Sequence, residues 1–219
     1  MKTARKIMPK NLDVFMNKKT IESALKTTKN NYRQYDPGWY LYRMVINYKK
    51  KKVSKEFIEL VYATLSAWNM NSRGARLNNF NDFEKSIFEN ENILNKLIKY
   101  SIEDLKKITV VEMLRELFMN LKLTEEGKPV LVTFSKTIHF FLPELIAPID
   151  RKYTLNYFYG NTNVPKKKEN QFKKFIDIEL EFCRISNITD LSKYIDNIWN
   201  ANIPKILDNA IIGYMKNNE

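Results

Sequence analysis

Lys136 and Asp150 are the residues of this chain whose types and setting best suit covalent chemistry. They lie in Phe134-Ser135-Lys136-Thr137-Ile138-His139-Phe140-Phe141-Leu142-Pro143-Glu144-Leu145-Ile146-Ala147-Pro148-Ile149-Asp150-Arg151-Lys152. A lysine enters a strongly apolar run, a proline-marked turn follows, and then comes an aspartate with two basic residues behind it. Burial lowers a lysine's pKa because it penalises the charged form, and a neutral amine is a nucleophile. A fold that returns Asp150 to Lys136 would pair that amine with a carboxylate.

Those two residues need helices to position them. Glycine (5) and proline (7) are scarce in a chain of 219 residues, which favours helices over a many-turned all-β design. Apolar periodicity predicts a helix over 11–29 and another over 39–48, after the turn signal Asp36-Pro37-Gly38. Ser54 reads as the N-cap of a helix carrying Phe57, Ile58, Val61, Tyr62 and Leu65 on one face. Short helices follow over 81–88, 93–100 and 101–107, the last opened by a capping-box pattern at Ser101 and Asp104. An amphipathic helix is expected over 110–121 and a central buried one from Val130 to about Leu142, with Pro129 in its first turn. Asp150 is placed to cap a helix through Tyr159, which Gly160-Asn161 ends. Helices over about 165–185, 189–199 and 203–215 complete an all-α fold, with 1–219 as a single domain. The alternative division is a central lobe of about 55–140 and a second lobe of 1–54 plus 141–219, with a cleft between them.

Composition narrows the partners. The formal net charge is +12, which points to nucleic acid first and to an anionic membrane surface or an acidic protein next. The abundance of Lys and Asn fits an AT-rich coding bias equally well. One histidine and one cysteine exclude a zinc ribbon, a cysteine-ligated iron–sulfur cluster and an internal disulfide. No metal or other cofactor is implied. The basic start, Met1 to Lys10, is followed by no apolar signal core, and no apolar run reaches spanning length, so a cytoplasmic protein without a membrane partner is expected.

Two segments, in order, resemble the helix-hairpin-helix DNA glycosylases, the superfamily of endonuclease III and the 8-oxoguanine glycosylases. Leu60-Val61-Tyr62-Ala63-Thr64-Leu65-Ser66-Ala67-Trp68-Asn69-Met70-Asn71-Ser72-Arg73-Gly74-Ala75 is similar to that family's early core helix and the polar segment behind it. Lys136 to Asp150 resembles the stretch from the catalytic lysine, which opens a helix, to the aspartate at the next helix start. The resemblance covers about the middle half of the chain. The lysine–aspartate string also resembles one in small uncharacterised prokaryotic proteins. The resemblance implies a glycosylase-like all-α fold, a double-stranded DNA partner, and excision of a damaged or modified base in DNA repair. It makes Lys136 the Schiff-base nucleophile and Asp150 the carboxylate that stabilises the developing sugar cation. Asn69 and Asn71 would fill the gap left by an extruded base, and Arg73, Arg76, Arg151 and Lys152 would meet phosphates. Two features differ from the family pattern. The usual Gly-hydrophobic-Gly turn before the lysine is replaced by a segment with one early glycine, Gly127, and the 14-residue Lys136–Asp150 spacing is about one helical turn short.

Plainer readings stand beside these. Lys136 at a helix edge can reach water along its stem, and Asp150 can serve only as an N-cap. Residues 68–76 can be an ordinary helix junction, and His139 a core histidine bonded to the backbone. The runs Lys49–Lys52 and Lys166–Lys168 read as solvated charge, and the cluster Tyr32, Tyr35, Trp39, Tyr40 and Tyr42 as packing rather than base stacking. On those terms the protein would be a non-catalytic helical nucleic-acid-binding or interaction module.

Overall fold

The computed structural model describes residues 13–31, 36–48, 53–71, 74, 76–196 and 198–219. Among them the chain is all-α. The helices are α1 (Lys18–Asn31), α2 (Pro37–Ile46), α3 (Lys55–Ala67), α4 (Phe80–Glu89), α5 (Glu91–Leu97), α6 (Ile108–Asn120), α7 (Leu131–Phe141), α8 (Asn156–Tyr159), α9 (Lys168–Ile188) and α10 (Ile203–Asn217). Short 3-10 turns occupy Asp13–Met16, Ile102–Lys106 and Ser192–Tyr194. The only β pairing among the described residues is one isolated antiparallel bridge, Leu77 to Thr124. No described helix is long and apolar enough to cross a membrane.

Local chemistry sets the helix ends. Asp36 and Ser54 accept from the backbone N–H of Trp39 and Phe57, opening α2 and α3. Ser101 and Asp104 form the reciprocal capping box. Among its described residues Thr189–Trp199, expected as a helix, holds only the Ser192–Tyr194 turn. Asp196 Oδ1 accepts from the backbone N–H of Ile198, Trp199 and Asn200, and Asp190 Oδ1 from Ser192, so side chains satisfy donors that a helix would have used.

α7 is the centre of the molecule, and every one of its residues is buried. Phe134 packs with Phe118 of α6 and Phe175 of α9, with ring centroids 4.7 and 5.2 Å away. Each such buried aromatic contributes on the order of 1.5–3 kcal/mol. The helix starts after Val130, which leaves Pro129 just outside it, and Lys136 is its sixth residue. The lysine therefore lies mid-helix rather than opening the helix. Gln171 of α9 supplies the start instead, its Oε1 accepting from the N–H groups of Val130 and Leu131.

Behind α7 the chain runs back along the helix that it has just left. His139 Nδ1 meets the Ile146 carbonyl at 2.7 Å, the Ile149 N–H donates to Ser135 Oγ, and Asp150 reaches Lys136. Ala147 N–H donates to Glu179 Oε2 of α9, which fixes this returning strap, 142–150, from its other side. Burial, with the nearby Asp208 charge, pushes the Glu179 carboxyl well above the usual carboxylate range despite the Ala147 hydrogen bond, and its remaining oxygen has no hydrogen-bond partner. A carboxyl raised in the folded state contributes fully below its unfolded value, near 4.5, and that contribution is lost as pH rises towards the folded value. Glu179→Gln keeps the acceptor and removes the charge. Its stability relative to the parent is expected to grow above pH 4.5 by up to about 1.4 kcal/mol per pH unit. Urea unfolding at pH 4, 6 and 8 checks this, and a pH-independent difference would contradict it.

Candidate functional site

Lys136 and Asp150 meet. Lys136 Nζ donates to Asp150 Oδ2 at 3.2 Å, with the side chains 9% and 19% exposed. Asp150 also caps the π-helical turn Arg151–Leu155 that leads into α8, its Oδ1 accepting from the N–H of Lys152 and Tyr153. Burial acts to raise the Asp150 carboxyl, but the Lys136 ammonium and those two backbone donors together hold it below the usual range. The carboxylate is thus fixed as an anion facing the amine.

The pair lines a cavity of about 310 Å³. Its walls come from α2, the end of α3, the strap, the π-helical turn and α10. Trp68 presents its face 5.5 Å from Lys136 Nζ and donates from Nε1 to the Gly38 carbonyl. Tyr42 stacks between Trp68 and Trp39, with centroids 5.8 and 5.7 Å away, and Trp39 stacks on Trp199 at 4.2 Å. The close α2–Trp68 contact needs a glycine, since a Cβ on Gly38 would lie 2.8 Å from Trp68 Cδ1. All three tryptophans of the chain therefore stand at or behind one wall of the cavity.

His139 supports that wall. A carbonyl only accepts, so Nδ1 carries the hydrogen that goes to Ile146, and Nε2 accepts from the Tyr42 hydroxyl at 3.1 Å. Burial pushes the imidazole down to about 3, so it stays neutral through the physiological range. It is a core histidine with a backbone partner, and it orients Tyr42.

The remaining expected site residues are placed as follows. Asn69 lines the cavity and holds a left-handed φ of 62°, a conformation that asparagine tolerates better than most residues. Asn71 lies beside it but turns to Ser66 Oγ. Arg76 lies away from the cavity, its carbonyl accepting from Glu125 N–H near the loop that precedes α7. Arg151 bonds the Thr162 carbonyl, and Lys152 pairs with Glu219 at 3.0 Å, so neither lines the cavity. Arg73 and Lys49–Lys52 lie outside the described residues, as do Tyr32 and Tyr35. Trp39 and Tyr42, read from sequence as packing residues, line the cavity, whereas Tyr40 is exposed.

Sequence reasoning missed a second buried pair on the same cavity. Lys205 Nζ donates to Asp208 Oδ2 at 2.5 Å in the opening turns of α10, with both side chains 5% exposed. The available signal was a lysine and an aspartate three apart on an otherwise apolar helix. Two lysines thus face three aspartates, Asp36, Asp150 and Asp208, inside a chain of net charge +12. The positive excess therefore lies outside the cavity. Among the described residues, no three His, Cys, Asp or Glu side chains cluster as metal ligands.

Compared with protein-family models, with curated proteins and with solved structures, the chain matches none of them.

Proposed function

We propose that the protein acts on double-stranded DNA as a glycosylase with lyase activity. It excises a damaged or modified base, with Lys136 as nucleophile and Asp150 as the fixed anion beside it. The observation that carries this reading is the 3.2 Å Lys136–Asp150 pair on a small aromatic-walled cavity. Chemistry on a duplex base requires the nucleotide to leave the stack, and the indoles of Trp39 and Trp68 on the cavity wall would offer an extruded ring aromatic surface in its place. The neutral amine of Lys136 would add to the sugar C1′. Asp150 would stabilise the positive charge that develops there, a role suited to a carboxylate held ionised by two backbone donors. Asn69, which lines the cavity and has a left-handed backbone, would be the polar residue that enters the vacated stack. The net charge supplies sequence-independent affinity for phosphates.

One observation favours a second reading, a nucleic-acid-binding module without chemistry. The first N–H groups at α7, which a glycosylase-type hairpin would offer to a DNA phosphate, are occupied by Gln171. Strand incision on a duplex with one abasic site, and base release from a panel of lesion duplexes, separate the two. The proposal expects turnover that falls about 10³-fold or more in Lys136→Gln. Salt-dependent binding with no incision or base release on any substrate would leave only the module.

A further inference from the structure

The pair Lys205–Asp208 needs an explanation beyond stability. A buried ion pair costs its partners their hydration, and well-packed apolar side chains in its place are often as stable or more so. This pair stands on the wall of the cavity that holds Lys136, and Asp208 is within electrostatic reach of both Lys136 and Asp150. A lysine attacks only as a neutral amine, so its proton needs an acceptor.

The two aspartates differ in fitness for that task. Asp150 is held as an anion by Lys136 and two backbone N–H groups. Asp208 is held by the Lys205 ammonium rather than by backbone N–H groups, and burial pushes its carboxyl up, offset in part by Lys205 and Lys136 and reinforced by Asp150. Carboxyls whose surroundings drive them apart divide naturally into a fixed charge and a proton carrier. The titratable groups around Asp208 or sharing its cavity are Lys205 on its own helix, Lys136 on α7, Asp150 on the strap, Tyr153 on the π-helical turn, Glu179 on α9, and Asp36 and Tyr42 across the cavity, while neutral His139 on α7 is near Lys205.

We propose that Asp208 is the proton acceptor and donor for Lys136 across this cavity, and that Lys205 is its positioning residue. The inference rests on reading Lys136 as the nucleophile. With an aldehyde, the Asp208 carboxylate takes one proton from the Lys136 ammonium. The amine lone pair forms the N–C bond to the carbonyl carbon, giving a carbinolamine. Asp208 returns its proton to the carbinolamine hydroxyl, the C–O bond breaks, water leaves, and the iminium remains on Lys136. In base excision the same proton goes to the departing base as its C1′–N bond breaks, and the new secondary ammonium then recharges Asp208.

The test uses the full chain with glycolaldehyde, a small uncharged aldehyde, and cyanoborohydride. Modification at each lysine is followed by peptide mass spectrometry from pH 5 to 9. Lys136 is expected to label faster than the exposed lysines, with a rate that falls on the acid side. Asp208→Asn is expected to slow that labelling about 10²-fold and to flatten the acid limb, with Asp208→Glu restoring part of both. Lys205→Met removes a cation that favours ionised Asp208, so the acid limb should move to higher pH. The double change Lys205→Met/Asp208→Leu folds without leaving a charge unpaired and should match Asp208→Asn. A Lys136 no more reactive than exposed lysines overturns the proposal. So does unchanged labelling across the pH range in both Asp208→Asn and the double variant. An abasic duplex trapped with borohydride serves as the separate arm. Asp208-dependent labelling by glycolaldehyde with no duplex adduct would remove the DNA reading and leave the proton role standing.

Discussion

Replacing Asp150 by alanine is expected to destabilise the protein by about 3 kcal/mol at pH 7. Two losses combine. Lys136 is left in a buried position without its carboxylate, and the Arg151–Leu155 turn loses the cap that holds the N–H groups of Lys152 and Tyr153, worth about 1 kcal/mol alone. Lys136→Met in the Asp150→Ala background should recover most of the first loss and none of the second, which makes the two separable in a double-mutant cycle. The effect has a pH signature. Asp150 is held below its ordinary value of 3.8, so its contribution is complete above that pH and is lost as pH falls through the lower folded value. The gap between parent and Asp150→Ala should therefore be constant from pH 8 to 5 and close below about 4. Equilibrium urea unfolding across that range measures it.

Gly213→Ala is the second large effect. In the middle of a helix alanine ordinarily gains about 1 kcal/mol over glycine. At Gly213 a Cβ would fall 1.8 Å from the Ala24 carbonyl oxygen and 2.6 Å from Thr28 Oγ1, so α1 and α10 would have to separate. Thr28 Oγ1 donates to the Asn209 carbonyl of α10, and that bond would break as the helices part. The clash is with backbone, which no rotamer change relieves, and a net loss of about 3 kcal/mol or more is expected. Because α10 also carries Lys205 and Asp208, tryptophan fluorescence should shift as the cavity wall moves. Unfolding midpoint and emission maximum together check this, and an Ala variant as stable as the parent would contradict the packing described for α1 and α10.

The parts of this architecture that were legible from residues alone are the local ones. Ser54, Ser101 and Asp150 announce helix starts because a cap acts over three residues, and Gly160 ends α8 with a φ of 65° that glycine adopts without strain. The Lys136–Asp150 pairing was open to a sequence argument because the chain between them doubles straight back, with Ser135 and His139 lacing the return. Thr189–Trp199 misled because its apolar spacing is helical while Asp190 and Asp196 bind their own following N–H groups. Trp39, Lys205 and Asp208 reach the cavity, and Trp199 backs Trp39, only through tertiary packing. Nothing within a short window distinguishes Trp39 in an aromatic cluster from a core residue, or Lys205 on an apolar helix from a solvated one. The helix-hairpin-helix resemblance rests on the segments at 60–75 and 136–150. The start of α7 follows another solution, a glutamine cap from α9 where a glycine turn would stand.

In the proposed reaction the amine beside Asp150 attacks a sugar carbon. Borohydride trapping on an abasic duplex, followed by digestion and mapping of the cross-linked peptide, tests it most directly. One adduct is expected, on the peptide containing Lys136, and it should disappear in Lys136→Gln. No adduct, or adducts spread over exposed lysines and unaffected by that substitution, would contradict it.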